Sequence, residues 1–264
     1  LLTMGSLKDK VAIITGSGSG IGRAAAILYA REGAKVVVSD INEEHGNAVV
    51  AEISKTGGQA FFIKADTSKA EDNQNLVEQT LAKYGALHIA VNNAGIGGPL
   101  GNIADYPIDG WQRVIETNLS GVFYGLKYQI PAMLKSGGGS IVNIASILGA
   151  AGTKFSPAYV AAKHGLLGFS KVVALENADF DFTINTICPA YVRTPLVDAQ
   201  IAAQCKEHQL SETEVIEKIM LAPMPQKAFI GVDEIAATAM FLTAPAARHI
   251  TAQTLVLDGG WTAR

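Results

Sequence analysis

The stretch KVAIITGSGSGIGRAAAILYAREG, Lys10–Gly33, decides the fold. A short β-branched run passes through Gly16, Gly18, Gly20 and Gly22 and continues as an apolar segment with no turn signal until Gly33. A strand feeding through a glycine turn into a helix is the first half of a βαβ unit. Glycines there allow a tight turn and close approach of backbone to a pyrophosphate, and the helix N-terminus adds free N–H groups and a positive dipole end. A glycine run alone is also a flexible turn. Its position between strand and helix, together with an acid at the end of the next strand, makes dinucleotide binding the better reading.

That acid is Asp40, closing KVVVSD eighteen residues beyond Gly22. A carboxylate there accepts hydrogen bonds from adenosine ribose hydroxyls and repels a 2′-phosphate. Ser17, Gly18 and Ser19 supply no arginine to pair with such a phosphate. The expected cofactor is NAD(H).

Further runs follow in QAFFIKAD, LHIAVNN, GSIVNIAS, FTINTICP and TLVLD. Between them lie helical segments near 21–32, 43–56, 70–84, 108–135, 158–177 and 233–243. This alternation predicts an α/β fold, a seven-stranded parallel sheet with helices on both faces, in one domain over 1–264. The region 195–230 breaks the rhythm and reads as a helical insertion above the strand ends, placed to serve as a substrate lid.

The 264 residues carry a net charge of −3 with no basic cluster, which argues against a nucleic-acid or anionic-membrane partner. No apolar run reaches the ~20 residues of a membrane span, and no signal peptide is evident, so a cytoplasmic protein is expected. Cys188 and Cys205 form no CxxC pair, and the five histidines lack metal-ligand spacing. No metal is expected. Leu1–Thr3 precede Met4 and read as an expression remnant.

The motifs, taken in order, resemble the short-chain dehydrogenase/reductase family. Thr15-Gly16-x3-Gly20-Ile21-Gly22 matches its glycine pattern, and NNAG stands at 92–95. Asn118 follows in ETNLSG, Ser146 in NIAS, then Tyr159-x3-Lys163 and LDGGW at 257–261. The resemblance implies a single-domain Rossmann fold and a cofactor held by Gly16, Ser19, Gly20, Ile21, Gly22, Asp40, Asp66, Thr67, Asn93, Tyr159, Lys163, Val192 and Thr194. It also implies a homotetramer. One departure is Ala190, where the family usually has glycine, which puts the shape of that loop in question.

Oxidising a secondary alcohol needs a proton acceptor at oxygen. Tyr159 is the candidate base, and Lys163, one helix turn on, is expected to favour its phenolate. Ser146 is expected to hydrogen-bond the substrate oxygen, and by resemblance Asn118 holds a water that passes the proton outward. Singly, each has an ordinary reading as helix tyrosine, solvated charge, turn cap or mid-helix amide. On a nucleotide-binding sheet the set reads as catalytic.

The segments AYVAAKHGLLGFSKVVALENA and RTPLV look like the 3-hydroxybutyrate dehydrogenases of the family. That resemblance calls for a glutamine, a histidine and a lysine around a substrate carboxylate, but Gly97, Leu148 and Ser156 stand at those positions. Gln200 alone keeps an amide, and Lys154 is a nearby cation. The expected pocket of Gly97, Leu148, Tyr191, Leu196, Gln200 and Trp261, with Ala150 and Ala151 equally readable as core, suits a neutral or hydrophobic secondary alcohol or ketone. The alternatives are 3-hydroxybutyrate, a 3-oxoacyl-carrier-protein reductase, disfavoured by Asp40 and the acidic charge, and a non-catalytic NAD-binding sensor.

Overall fold

The computed structural model describes residues 6–263. The remnant expected at Leu1–Thr3 lies outside them. Seven strands, β1 (Val11–Thr15), β2 (Lys35–Asp40), β3 (Gln59–Lys64), β4 (Ile89–Asn92), β5 (Gly139–Ile144), β6 (Phe182–Pro189) and β7 (Thr254–Leu257), form one sheet in the order β3-β2-β1-β4-β5-β6-β7. Every pairing is parallel. The strands and their order in sequence match the expectation.

Helices cover both faces. One face carries α1 (Gly20–Arg31), α2 (Glu43–Lys55) and α9 (Val232–Thr243), packed on Ala12, Ile14, Val36, Val38, Val91 and Val142. The other carries α3 (Ala70–Tyr84), α5 (Gly121–Lys135) and α6 (Pro157–Glu176), packed on Ile13, Val37, Ala90, Ile141 and Ile184. Neighbouring strand residues serve opposite cores, which is why the strands read as unbroken apolar runs rather than alternating ones. Local chemistry sets the helix ends. Asn42 Oδ1 accepts a bond from His45 N at 3.0 Å to start α2, Gly85 ends α3 at φ +76°, and Pro157 opens α6.

The segment expected as one helix over 108–135 is divided. A π turn, Glu116–Ser120, separates α4 (Ile108–Ile115) from α5. Its extra residue turns Asn118 inward, where the side-chain amide bonds both backbone groups of Ile96, and these bonds offset the wider turn.

A buried polar chain crosses the face beneath α5 and α6. Gln129 exchanges bonds with Asn92, Asn92 donates to Asn143, Asn143 to Ser170, and Ser170 meets Thr186 at 2.6 Å. All five are buried and each has a partner, so the chain fixes the helices on the sheet without leaving an orphan polar group.

From β1 the chain turns to β2 on one side and, later, to β4 on the other. The crevice at the C-terminal ends of β1 and β4 is thus the topological switch point, where open α/β sheets bind ligands. Above it rises a helical excursion, α7 (Pro195–His208), α8 (Glu212–Val215) and a π turn (Ile216–Met220), with its own small core of Val197, Ile201, Val215 and Met220. Among the described residues no helix is long and apolar enough to cross a membrane.

Tyr29 in α1 is fully buried, and its hydroxyl lies 2.9 Å from Thr243 Oγ1 in α9. Thr243 already donates to the Met240 carbonyl, so Tyr29 is the donor of the pair. Tyr29→Phe is expected to lower stability by about 1 kcal/mol in urea unfolding. A loss several times larger would mean that the hydroxyl supports more than this one bond.

Candidate active site

The glycine loop is built for close approach. Gly16 and Gly20 hold φ of +62° and +54°, and a Cβ on Gly22 would stand 2.3 Å from the Gly16 carbonyl oxygen. Ser17 Oγ donates to Ile14 O and accepts from Ser39 N, tying the loop to the ends of β1 and β2. Ser19 opens α1 without a side-chain cap, leaving first-turn N–H groups free for an anion. Asp40 accepts from Gly18 N at 2.8 Å and from Asn42 N at 2.9 Å, so its carboxylate is held against the loop.

Three further loops close the crevice. Asn93 Nδ2 donates to the carbonyls of Thr15 and Gly16, so its side chain braces the glycine loop. Asp66 Oδ1 accepts from Ser68 N and Oγ, and Asp66 N donates to Asp72, which fixes the turn after β3 with Thr67 at its tip. Thr194 Oγ1 caps α7, and a Cβ on Gly20 would stand 3.2 Å from Thr194 Cγ2, so the two loops nearly touch. Ala190 donates its N–H to Leu257 O and lies outside the positive-φ region, so its Cβ is carried without strain. These donors and glycine contacts fit a dinucleotide: a backbone cradle for a pyrophosphate and a carboxylate for a ribose.

The polar set sits beside this cradle. Ser146, just past β5, accepts from Leu148 N at 3.1 Å and stands with Tyr159 on the cleft wall. Tyr159 and Lys163 share one face of α6, and Lys163 Nζ lies 5.6 Å from the tyrosine ring centroid. Lys163 is 5% exposed, donates to Ile144 O at 2.9 Å and has no carboxylate partner among the described residues. Burial pushes its amine down to about 8. Desolvation also pushes the Tyr159 phenol up, and the Ser146 side chain only partly opposes it. The expected lowering by Lys163 is therefore not realised in the protein alone, because the ammonium lies over the ring and desolvation dominates. Cys188 lies beneath, its thiol raised by burial and partly lowered by the Ser146 backbone and Lys163.

A cleft of about 950 Å³ joins cradle and polar set. Gly16, Ser19, Gly20, Ile21, Asp40, Asp66, Thr67, Asn93, Ser146, Tyr159, Lys163, Val192, Thr194 and Leu196 line it. Gly22 and Asn118 stand buried behind the wall. Of the expected pocket, Gly97 faces Leu196 and Gln200, and Tyr191 stacks on Trp261 at 5.9 Å. Leu148 is half-buried on the turn after Ser146. Ile41 and Arg113 also line the cleft and were not expected; Ile41 directly follows Asp40, and that adjacency was the available signal. Among the described residues no cluster suits a metal ion.

A family model described as enoyl-(acyl carrier protein) reductase matches residues 16–262. Cyclohexanol dehydrogenase of Acinetobacter sp. (strain SE19) is 43% identical over 97% of this chain and 96% of its own. The chain belongs to the short-chain dehydrogenase/reductase family. Within that family, D-beta-hydroxybutyrate dehydrogenase of Rhizobium meliloti (strain 1021) is 40% identical over 97% of this chain and 99% of its own. A variant of actinorhodin polyketide ketoreductase with NADPH is a structural neighbour, with TM-score 0.92 and 34% identity over 97% of this chain and 98% of that one. Family membership makes the protein an NAD(P)-dependent oxidoreductase.

The buried, unpaired Lys163 generates a stability test. Unfolded, its amine titrates near 10.5; folded, near 8. Between those values the unfolded chain holds the extra proton, so this group's contribution makes the fold more stable as pH rises, and its penalty is full below pH 8. Cofactor-free Lys163→Met should therefore be more stable than wild type at pH 7, by up to roughly 3 kcal/mol, with the gap closing toward pH 10.5. Parallel stability–pH profiles for the two proteins would refute the assignment.

Proposed function

We propose that the protein interconverts a neutral, hydrophobic secondary alcohol and its ketone, using NAD(H). The observation that carries the reaction is the meeting of Ser146, Tyr159 and buried Lys163 at one wall of the dinucleotide cleft. NAD, held by the glycine loop and Asp40, would supply the hydride acceptor for the carbinol carbon. The chain supplies the proton chemistry. Tyr159 accepts the hydroxyl proton, and Ser146, on the same cleft wall, donates to the substrate oxygen as it gains charge. Lys163 places a cation beside the phenol in a dry wall, where it favours phenolate once the pocket fills. Asn118 Oδ1 keeps a second lone pair toward the space that Gly95 leaves open, near Lys163 Nζ, and a relay water suits that gap.

Asp40, held by Gly18 N and Asn42 N, supports NAD over NADP because a 2′-phosphate would meet a fixed carboxylate. Neutrality of the substrate rests on the lining. The cations there are Lys163 and Arg113, and Arg113 is paired to Asp109 at 2.7 Å. A carboxylate would enter beside Leu148 and Gly97 with no charged partner fixed for it, and Lys154 is exposed. The cyclohexanol dehydrogenase relative agrees with an uncharged substrate. The excursion over 195–230 serves as the lid. A homotetramer is supported by apolar groups left exposed on α5 and α6, namely Phe123, Val172 and Leu175, and light scattering would count the subunits.

A panel of neutral and acidic secondary alcohols, assayed by NADH absorbance with NAD and NADP in parallel, tests the reading. The expected order is cyclohexanol-like substrates above 3-hydroxybutyrate, and NAD above NADP. A steep preference for 3-hydroxybutyrate would restore the hydroxy-acid reading, and no turnover with any alcohol would favour a sensor. Tyr159→Phe should lower kcat by about 10²–10⁴ with cofactor binding retained.

A further inference from the structure

Arg193 stands between Val192 and Thr194, two residues of the cleft wall, and its own side chain engages Asp198 and Glu212. The guanidinium reaches three separate segments. Nε donates to Asp198 Oδ1 in α7 at 2.5 Å, and Nη2 donates to Glu212 Oε1 in α8 at 2.9 Å. Its central carbon lies 5.5 Å from the ring centroid of Phe229, where the chain leaves the excursion. One residue back, Val192 pairs with Ile230, and Ile230 N donates to Tyr191 O. One residue on, Thr194 caps α7. No other described side chain is recorded joining this loop to both excursion helices by ion pairs.

We propose that Arg193 is a positioning residue that clasps the helical excursion onto the cofactor-facing loop, so that the substrate pocket closes only while the Asp198 and Glu212 pairs are made. The proposal rests on the reading of 195–230 as the lid. The geometry suits a latch rather than a weld. The guanidinium and both carboxylates are about half exposed, with side-chain exposures of 46%, 51% and 62%, so each pair is weak alone and opens readily. Planarity matters too: one rigid fork presents separate N–H groups to two carboxylates, which a lysine point charge cannot reproduce. Opening the pairs frees α7, and with it Leu196 and Gln200, while Tyr159, Lys163 and Ser146 stay on the sheet.

The test combines lid proteolysis with kinetics on the full-length protein. Lys206 and Lys218 lie exposed on the excursion, so endoproteinase Lys-C reports its opening without any turnover. Arg193→Ala is expected to speed cleavage there about three- to tenfold. Wild type should approach the variant's rate in 0.5 M NaCl, whereas the variant should hardly respond to salt. Asp198→Asn with Glu212→Gln should reproduce the effect, and Arg193→Lys should recover only part of it. In the alcohol assay the substrate KM should rise by a similar factor while kcat is kept or raised. Equal cleavage rates and equal salt response in wild type and Arg193→Ala would overturn the clasp. An absence of alcohol turnover in wild type would instead count against the proposed reaction and leave the proteolysis result standing.

Discussion

A parallel sheet buried on both faces can offer polar side chains to a ligand only where its strands stop. That constraint organises the molecule. Ser17 follows β1, Asp40 ends β2, Asp66 follows β3, Asn93 follows β4, Ser146 follows β5, and Val192 and Thr194 follow β6. All lie at the same C-terminal edge, because parallel strands share one direction. The cradle and the polar set are neighbours for that reason, although they are separated by more than a hundred residues of chain.

The same packing forces a conflict between stability and chemistry. Lys163 must be dry to act strongly on its neighbours, and dryness penalises its charge. The Ile144 carbonyl offsets part of that penalty, and no carboxylate among the described residues does. A buried cation without a counter-ion is a standing demand for negative charge nearby, which a phenolate or an electron-rich oxygen in the cleft can meet. Desolvation of Tyr159 acts in the opposite direction and raises its phenol.

Most of the fold was legible in the sequence because it follows from patterns repeated over many residues. The seven β-branched runs became seven strands, and the motif residues at their ends came to one crevice. What was not legible depends on single contacts. The π turn at Glu116–Ser120 has no periodic signal, since one inserted residue barely alters an apolar pattern of 28 residues over 108–135. The direction of the Tyr159 shift could not be read from an i,i+4 spacing, which places a cation nearby without telling which atom it faces. Arg193 reads as an ordinary loop charge until Asp198 and Glu212 are brought to it by the fold. The stacking of Tyr191 on Trp261 joins the loop after β6 to the last turn of the chain, a long-range pairing that no local pattern announces.

The excursion's private core has a consequence for how such a protein can change. Val197, Ile201, Val215 and Met220 pack mainly among themselves rather than into either sheet cluster. Residues near them can be exchanged without disturbing the strands that hold the proton-transferring groups. What the molecule acts on and how it acts are thus written in separable pieces of the chain, and the first can be rewritten while the second stays fixed.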